Sequence, residues 1–465
     1  MMTAVAAGVA AGHPATAAAG LQVLQTGGSA ADAAVAATFA CCVAETVMTG
    51  LGGGGHAVYW DAREREAYLI DCFVAVPGIG GRAVAGERFS IDVAFGTQVI
   101  AYDIGMATVA VPGIAQGCGE IHDRWGRLEW ASLLQPARTL ALEGVAMPPK
   151  HALTMRMVLE GLRRDRGSEI YTPGGTPLHS GDLLRQPGLA DAFDLLAAEG
   201  AQSFVKGTIA ERILALSDER GGLLTRRDLE SYEVIVTPAP AGARLGPYRV
   251  TARDDLAGYV ASLARLPAGE AGTPRRWAPA FADVFAAQDR HGDTTNLAVV
   301  DPDGNACVFT SSLGLGAGHY VPRLDLHLNS MLGESELLTG ASAPGSRMRS
   351  MMVPSLAFDD RGSLAAAAGA AGGSRIRTAL AQVLAATLLE GDEPAAATRR
   401  PRLHPVDDVA HVEHGYPEEG IAGLRDAGYT IQQWDDLHHY FGGVSLLTSR
   451  GGGADPRRDG AAVVV

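Results

Sequence analysis

The sequence predicts an α+β protein in which two antiparallel sheets are covered by helices. Its 465 residues are 47% hydrophobic and 19% charged, a balance that favours a large packed core over a disordered chain. Helical and strand-like segments follow one another without the strand–helix–strand alternation that is typical of a parallel sheet. Two strand patterns within 297–310 flank a D-P-D-G-N turn, and this arrangement predicts an antiparallel hairpin.

Alanine-rich segments near the N-terminus predict two helices. The second begins after Ser29, which together with Asp32 resembles a capping box. Further helical patterns are interrupted by Pro and Gly, and the last one follows the G-G-S motif at 372–374. The predicted helical segments are 14–25, 30–42, several pieces of 120–230 including 182–210, parts of 253–290, and 374–389.

Four consecutive glycines at 52–55 exclude a helix, because they demand unusual backbone angles or the close approach of a neighbouring segment. Short runs of β-branched, aromatic and aliphatic residues follow the glycines and recur late in the chain. The predicted strands are 57–61, 67–71, the two arms of 297–310, 351–358 and 364–368.

Charge and cysteine content exclude several functional classes. A formal net charge of −14 repels phosphate backbones, so no nucleic-acid partner is expected. The five cysteines are odd in number and include no C-x-x-C pair, which leaves a disulfide framework or a zinc site unsupported. There is no run of about 18 apolar residues and no basic N-terminal region of a signal peptide. We therefore expect a cytoplasmic protein with reduced cysteines and no membrane partner.

Seven motifs stand in order along nearly the whole chain: G-G-S-A-A-D-A at 27–33, G-G-G-G at 52–55, V-P-G at 111–113, T-T at 294–295 ahead of V-V-D-P-D-G-N-A at 299–306, G-G-S-R-I at 372–376, P-R-L-H at 401–404 and D-P-R-R at 455–458. Each motif is weak alone. Together, in this order, they resemble the γ-glutamyltranspeptidase family of N-terminal-nucleophile hydrolases.

This resemblance implies an αββα four-layer sandwich and a chain that cleaves itself between Asp293 and Thr294. The products would be a large fragment, 1–293, and a small fragment, 294–465, which together form one compact domain. The resemblance implies no metal and no organic cofactor. The partners it implies are a small-molecule substrate and the two fragments themselves, and it leaves a homodimer open.

The resemblance also assigns roles to particular residues. Cleavage after Asp293 would free the α-amine of Thr294 beside its own hydroxyl, so that one residue supplies both nucleophile and general base. Gly372 and Gly373 would place backbone N–H groups at a helix N-terminus to stabilise an oxyanion. Ser312 stands where the family has a second threonine that hydrogen-bonds the nucleophile, and it keeps the hydroxyl.

The part of the family pattern that binds the substrate is altered. Phe73 occupies the position of the arginine that holds the α-carboxylate of a γ-glutamyl group, and an aromatic ring cannot form that bidentate pair. Of two family serines that also help to hold the carboxylate, one is kept as Ser350 and the other is replaced by Met351. Glu334 alone keeps an acidic group where the family binds the substrate amine. Glutathione-like compounds are therefore not expected as the main substrate. The candidates for replacement polar groups are Arg349, Arg323, Arg347 and His319.

Two segments, L-N-S-M-L-G-E at 328–334 and R-M-R-S-M-M-V-P at 347–354, resemble a bacterial branch that includes the homologues of 4-alkylproline antibiotic biosynthesis. Those homologues are thought to cleave a C–C bond. The leading hypothesis is an acyl-enzyme hydrolase of secondary metabolism, acting on an amide or a C–C bond of a small acyl substrate. One alternative is a true γ-glutamyl hydrolase or transpeptidase with a rebuilt carboxylate clamp. The other is an uncleaved, non-catalytic homologue.

Overall fold

The computed structural model describes residues 4–81, 86–95, 98–253, 255, 258–266, 273–286, 294–334, 337 and 343–465. Two antiparallel sheets face each other, and helices cover the outer side of each sheet. This four-layer arrangement confirms the predicted α+β class and the αββα sandwich. Asp293, the residue ahead of the predicted cleavage bond, lies outside the described residues.

The first sheet has seven strands and contains both chain ends. An inner strand, Thr295–Val300, pairs with Gly8–Ala11 on one side and with Ala306–Ser312 on the other. The N-terminal strand also pairs with the last strand of the chain. In spatial order the strands are Ala461–Val464, Gly8–Ala11, Thr295–Val300, Ala306–Ser312, Gly54–Asp61, Glu66–Cys72 and Ile235–Pro238.

The second sheet has six strands and lies against the first. Its central strands, Leu364–Ala371 and Gly443–Thr448, pack across Thr295–Val300. Large apolar side chains such as Trp60, Val308 and Phe358 fill the space between the sheets. In spatial order the strands are Gly451–Ala454, Gly443–Thr448, Leu364–Ala371, Ser355–Phe358, Tyr248–Ala252 and Ala243–Leu245.

Four smaller β-structures lie outside the two main sheets. Three are two-stranded and the fourth has three strands. They are formed by Phe89–Phe95 with Gln98–Ile104, Val145–Ala146 with Leu183–Leu184, Tyr320–Val321 with Leu326–His327, and Leu403–Val406 with Val409–Val412 and Thr430–Gln433.

Small side chains explain how one helix enters the core. Every residue of Ala30–Ala44 is buried, and the helix packs between the first sheet and helices Pro14–Gln25 and Trp130–Glu143. Helix Arg375–Leu384 covers the second sheet and continues as a π-helical turn, Ala385–Leu389. The remaining α-helices are Ile114–Trp125, Pro149–Met157, Leu159–Leu162, Gly167–Tyr171, Pro187–Glu199, Thr208–Glu219, Arg226–Glu230, Tyr259–Leu263, Pro274–Phe285, Pro394–Arg399 and Glu418–Asp426. In the part of the chain that the structure describes, no helix combines the length and apolar character needed to cross a membrane.

Most predicted elements are confirmed, and one strand is wrong in part. The capping box is present, with the Ser29 hydroxyl accepting from the Asp32 N–H and the Asp32 carboxylate accepting from the Ser29 N–H. The predicted strand at 351–358 forms only from Ser355 onward. Upstream, Pro354 has no N–H to give to a neighbouring strand, and the Met352 N–H is engaged by the Ser350 hydroxyl at 3.1 Å.

The glycine run at 52–55 is required by close packing of neighbouring backbone. A Cβ on Gly53 would lie 2.3 Å from the Ser312 carbonyl oxygen, and one on Gly54 would lie 2.6 Å from the Val74 nitrogen. None of the four glycines has a positive φ. Of the two explanations that the sequence left open, close approach is therefore the correct one.

Candidate active site

Thr294 lies directly before an inner strand of the first sheet. The residue is 6% exposed, and strand Thr295–Val300 begins directly after it. Its hydroxyl oxygen Oγ1 accepts a hydrogen bond from the backbone N–H of Gly372 at 2.9 Å. A hydroxyl on a rigid strand is thus held next to the glycine pair at the N-terminus of helix Arg375–Leu384.

The glycine pair has a geometry that other residues rarely adopt. Gly372 has φ +123° and Gly373 has φ +58°, both in the region that favours glycine. A Cβ on Gly372 would also lie 2.8 Å from the Cα of Gly442. The turn therefore needs glycine for its backbone angles and, at Gly372, also for the space around it.

Ser312 lies next to Thr294 on the neighbouring strand. The hairpin pairs Thr295 with Ser311, so Ser312 is one residue beyond the last pair, beside Thr294. Its hydroxyl accepts from the Gly314 N–H at 3.1 Å. The hairpin that the sequence predicts thus brings the two hydroxyl residues to the same end of the sheet.

A cleft opens at Thr294, and we call it the Phe73 cleft. It collects most of the residues that sequence reasoning singled out, although they come from six separate places in the chain. Four apolar side chains that sequence reasoning did not single out complete its wall, namely Met331, Leu337, Met352 and Ile376. The lining residues that were singled out are Phe73, Thr294, Ser312, Glu334, Ser350, Met351 and Gly373.

Arg349 does not line this cleft. Its Nε donates to a carboxylate oxygen of Asp255 at 2.8 Å, and about half of its side chain is exposed. Asp255 also accepts from Arg253 and from the Ser350 N–H, each at 2.9 Å. Burial opposes ionisation of Asp255, but these donors hold the pKa of its carboxyl below the usual value.

Arg347 is committed to structural contacts beside Phe73. Its guanidinium donates to the Phe73 carbonyl, lies 3.2 Å from the Asp71 carboxylate and stacks 4.4 Å from the centre of the Tyr232 ring. Buried His56 packs against the Phe73 ring at 5.3 Å. Burial, reinforced by Arg253 and Arg347, lowers the pKa of His56, so this imidazole is neutral.

The remaining two candidate polar groups lie elsewhere. The imidazole of His319 lies between the carboxylates of Asp165 and Glu87, at 2.8 and 2.9 Å. Arg323 occupies a turn with φ +66° and is exposed. Neither residue is part of the lining of the Phe73 cleft.

A second, smaller cavity also reaches Thr294, and we call it the Glu45 cavity. Its lining includes Glu45, Thr294, Thr295, Asn296 and Arg458. Burial raises the pKa of Glu45 to about 7, even though two threonine hydroxyls donate to its carboxylate. Sequence reasoning missed Glu45, and its position shortly before the glycine run was the only available signal.

The motifs near the C-terminus form a buried ion network. Arg457 donates to Glu413 and to Asp455, and Asp455 also accepts from Arg402. A carboxylate oxygen of Asp455 accepts the Val444 N–H at 3.0 Å. These side chains are at most 3% exposed. The network therefore ties the P-R-L-H and D-P-R-R motifs to strand Gly443–Thr448, which packs beside Thr294.

Comparisons with known proteins relate this fold and site to one family. A family model for γ-glutamyltranspeptidase matches residues 16–264 and 257–465. A glutathione hydrolase proenzyme of Bacillus subtilis is 26% identical over 98% of this chain and 91% of its own length. An acylase ACY 1 proenzyme of Pseudomonas sp. strain V22 is 28% identical over 90% and 86%.

Two solved structures share the whole fold. A cephalosporin acylase from Bacillus halodurans has a TM-score of 0.81 at 23% identity, covering 100% of this chain and 97% of its own. The structure of LmbA2991HD has a TM-score of 0.79 at 21% identity, covering 100% and 99%. At these identities the likeness concerns the fold alone.

Proposed function

Since this chain belongs to the γ-glutamyltranspeptidase family, we propose that Thr294 is its nucleophile. Its relatives include hydrolases and acylases, so the chain is a hydrolase or transferase of that type. In this proposal the Asp293–Thr294 bond breaks in the chain itself, giving fragments 1–293 and 294–465. The proenzyme relatives support such a cleavage. The observation that carries the proposal is the 2.9 Å contact between the Gly372 N–H and the hydroxyl of Thr294, which lines the Phe73 cleft.

The proposed reaction proceeds through an acyl-enzyme. The free α-amine of Thr294 has a pKa of about 7.7 to 8.0 in model compounds and takes the hydroxyl proton as Oγ1 attacks the acyl carbon. The new oxyanion accepts hydrogen bonds from the N–H groups of Gly372 and Gly373, and the helix N-terminus behind them favours negative charge. The ammonium then protonates the leaving group, and water completes the cycle by the same route.

The lining of the Phe73 cleft supports a largely apolar acyl group as the substrate. Its walls are rich in methionine and aliphatic side chains, with hydroxyls at Ser312 and Ser350 and a carboxylate at Glu334. The guanidinium groups of Arg347 and Arg349 are paired with Asp71 and Asp255. A free α-carboxylate would thus enter next to Glu334 without a dedicated arginine, which is unfavourable.

Amide and C–C cleavage both fit this machinery. In either case Thr294 attacks a carbonyl carbon, and both reactions pass through a tetrahedral oxyanion held by the same donors. The proposal therefore covers a small acyl substrate of secondary metabolism without choosing between the two bonds. The two reactions differ only in the group that leaves the tetrahedral intermediate. This group is a stabilised carbanion in C–C cleavage and an amine in amide cleavage.

Self-cleavage is tested by a denaturing gel and N-terminal sequencing. The purified protein is expected as two bands, with the smaller one beginning Thr294-Thr295-Asn296. Thr294→Ala should give one band and lose at least ~10³-fold in activity, because neither hydroxyl nor freed amine is present. Thr294→Ser is the matched control, since it keeps both groups, and it should still cleave. An active protein whose 293–294 bond stays intact would refute the proposal.

A further inference from the structure

Glu45 is a buried carboxyl group that contacts the strand directly after the proposed nucleophile. It caps the C-terminal end of helix Ala30–Ala44 and is 1% exposed. The Thr16 hydroxyl donates to one carboxylate oxygen at 2.7 Å, and the Thr295 hydroxyl donates to the other. Glu45 thereby holds the residue directly after Thr294.

The surroundings of Glu45 leave open space toward Thr294. Both residues line the Glu45 cavity, which has room for about one water molecule. Gly12 preserves this space, because a Cβ there would lie 2.5 Å from Glu45 Oε2 and 3.0 Å from Thr295 Oγ1. A buried acid is costly and needs a reason. A role at the helix end alone does not explain why this carboxyl group lines a cavity together with Thr294.

We propose that Glu45 is a positioning residue whose carboxylate stabilises the ammonium of Thr294 during acylation; the inference rests on the proposed function. In that step the Oγ–H bond of Thr294 breaks and an N–H bond forms on its amine, while Oγ bonds to the acyl carbon. The positive charge thus appears beside the Glu45 cavity. When the ammonium gives its proton to the leaving group, the charge on the amine returns to zero.

Several other ionisable groups surround Glu45. Arg458 is a fixed positive charge that lowers the pKa of Glu45. Burial lowers the pKa of His13 to about 3 and that of His151 to about 4, so both are neutral. Burial raises the pKa of the Cys41 thiol well above its usual value. Asp455 lies across the cavity and is paired with Arg402 and Arg457.

The pH dependence of the Glu45 effect has a definite sign. Because burial raises the pKa of Glu45 to about 7, its carboxylate is charged above pH 7 and is neutralised below it. In the wild type, full reactivity therefore requires two groups, Glu45 and the α-amine, to lose a proton. Their macroscopic pKa values belong to the pair.

The test measures nucleophile reactivity without a known substrate. The rate of inactivation by phenylmethanesulfonyl fluoride, a neutral electrophile, is followed against pH on the self-cleaved protein, with intact mass locating the label on the small fragment. For Glu45→Gln the plateau should fall at least ~10-fold. The acid limb of its profile of inactivation rate against pH should move about one pH unit lower, because the ammonium loses its counter-charge. The limb should also become less steep, because only the α-amine still has to lose a proton.

Thr16→Val is the matched variant and should shift the limb the other way. It keeps the carboxylate but removes a donor to its charged form, so the pKa of Glu45 rises and the limb moves to higher pH. Should Glu45→Gln fail to fold or cleave, Thr16→Val decides alone. If Glu45→Gln or Thr16→Val cleaves itself and its inactivation rate depends on pH as in the wild type, the inference is wrong. If the wild type reacts without being cleaved, the proposed function is wrong instead.

Discussion

Phe73 lies where the family's carboxylate-binding arginine is expected, and the groups around it accommodate an aromatic ring. The ring packs against His56 at 5.3 Å and lines the cleft with Met351. Nearby Arg347 serves the Phe73 carbonyl and Asp71 instead of the cleft. At the scale of single residues, the proposed nucleophile is therefore combined with a largely apolar cleft wall.

This residue-scale difference predicts a substrate preference that can be reversed. The wild type should hydrolyse phenylacetyl p-nitroanilide at least ~10-fold faster than γ-glutamyl p-nitroanilide, because the γ-glutamyl carboxylate finds no bidentate partner. Phe73→Arg combined with Met351→Ser should raise the ratio of γ-glutamyl to phenylacetyl kcat/KM by ~10-fold or more. Phe73→Leu is the control and should leave γ-glutamyl turnover low. Strong γ-glutamyl turnover by the wild type would contradict the apolar-acyl proposal.

At the scale of elements, the loop between strand Leu364–Ala371 and helix Arg375–Leu384 is the critical junction. In this loop the N–H of Gly372, which follows a strand of the second sheet, donates to the hydroxyl of Thr294 beside the first sheet. Asn296 links the same two sheets, donating to the Gly443 carbonyl at 3.0 Å and accepting from the Ser445 N–H at 3.2 Å. The position of Thr294 relative to Gly372 thus depends on contacts between sheets.

Adding one methyl group to this loop, at Gly372, should have a large effect on catalysis. Gly372→Ala places a Cβ at a positive φ and 2.8 Å from the Gly442 Cα, which should displace the N–H from Thr294. We expect kcat to fall by ~10² to 10³-fold, the loss typical of one oxyanion donor. Gly27→Ala is the control, because Gly27 has φ +90° but open space around it. Equal losses in both variants would mean that general backbone strain, and not a displaced donor, is responsible.

At the scale of the whole molecule, the two proposed fragments are interleaved. The first sheet contains strands from both sides of residue 293, with Gly8–Ala11 inserted between Ala461–Val464 and Thr295–Val300, and the second sheet joins Tyr248–Ala252 to Ser355–Phe358. A single cut before Thr294 would leave these hydrogen bonds in place. Cleavage can therefore change the chemistry at Thr294 without separating the layers that hold it.

The buried ion network predicts where this assembly is most sensitive. Arg457→Met leaves the carboxylates of Glu413 and Asp455 with fewer partners in the core, which should lower the free energy of unfolding by about 3 to 5 kcal/mol. Urea unfolding measures the change. Arg138→Met is the control, because its pair with Asp194 is on the surface and should contribute little. A similar midpoint for both variants would contradict the importance assigned to the network.

Local signals in the sequence were enough to predict the helices at 14–25 and 30–42, the capping box, the hairpin within 297–310 and the ordered motifs, because each depends on neighbouring residues and on periodicity. The structure extends that second helix to Ala44 and the hairpin arms to Thr295 and Ser312. The tertiary structure alone decided that Glu45 lies against Thr295 and that Asp255 engages Arg349. It also decided that Met331, Met351 and Met352 line one cleft with Thr294. These contacts join residues up to 250 positions apart. Burial and charge pairing at such separations arise only when the sheets stack, and no local pattern encodes them.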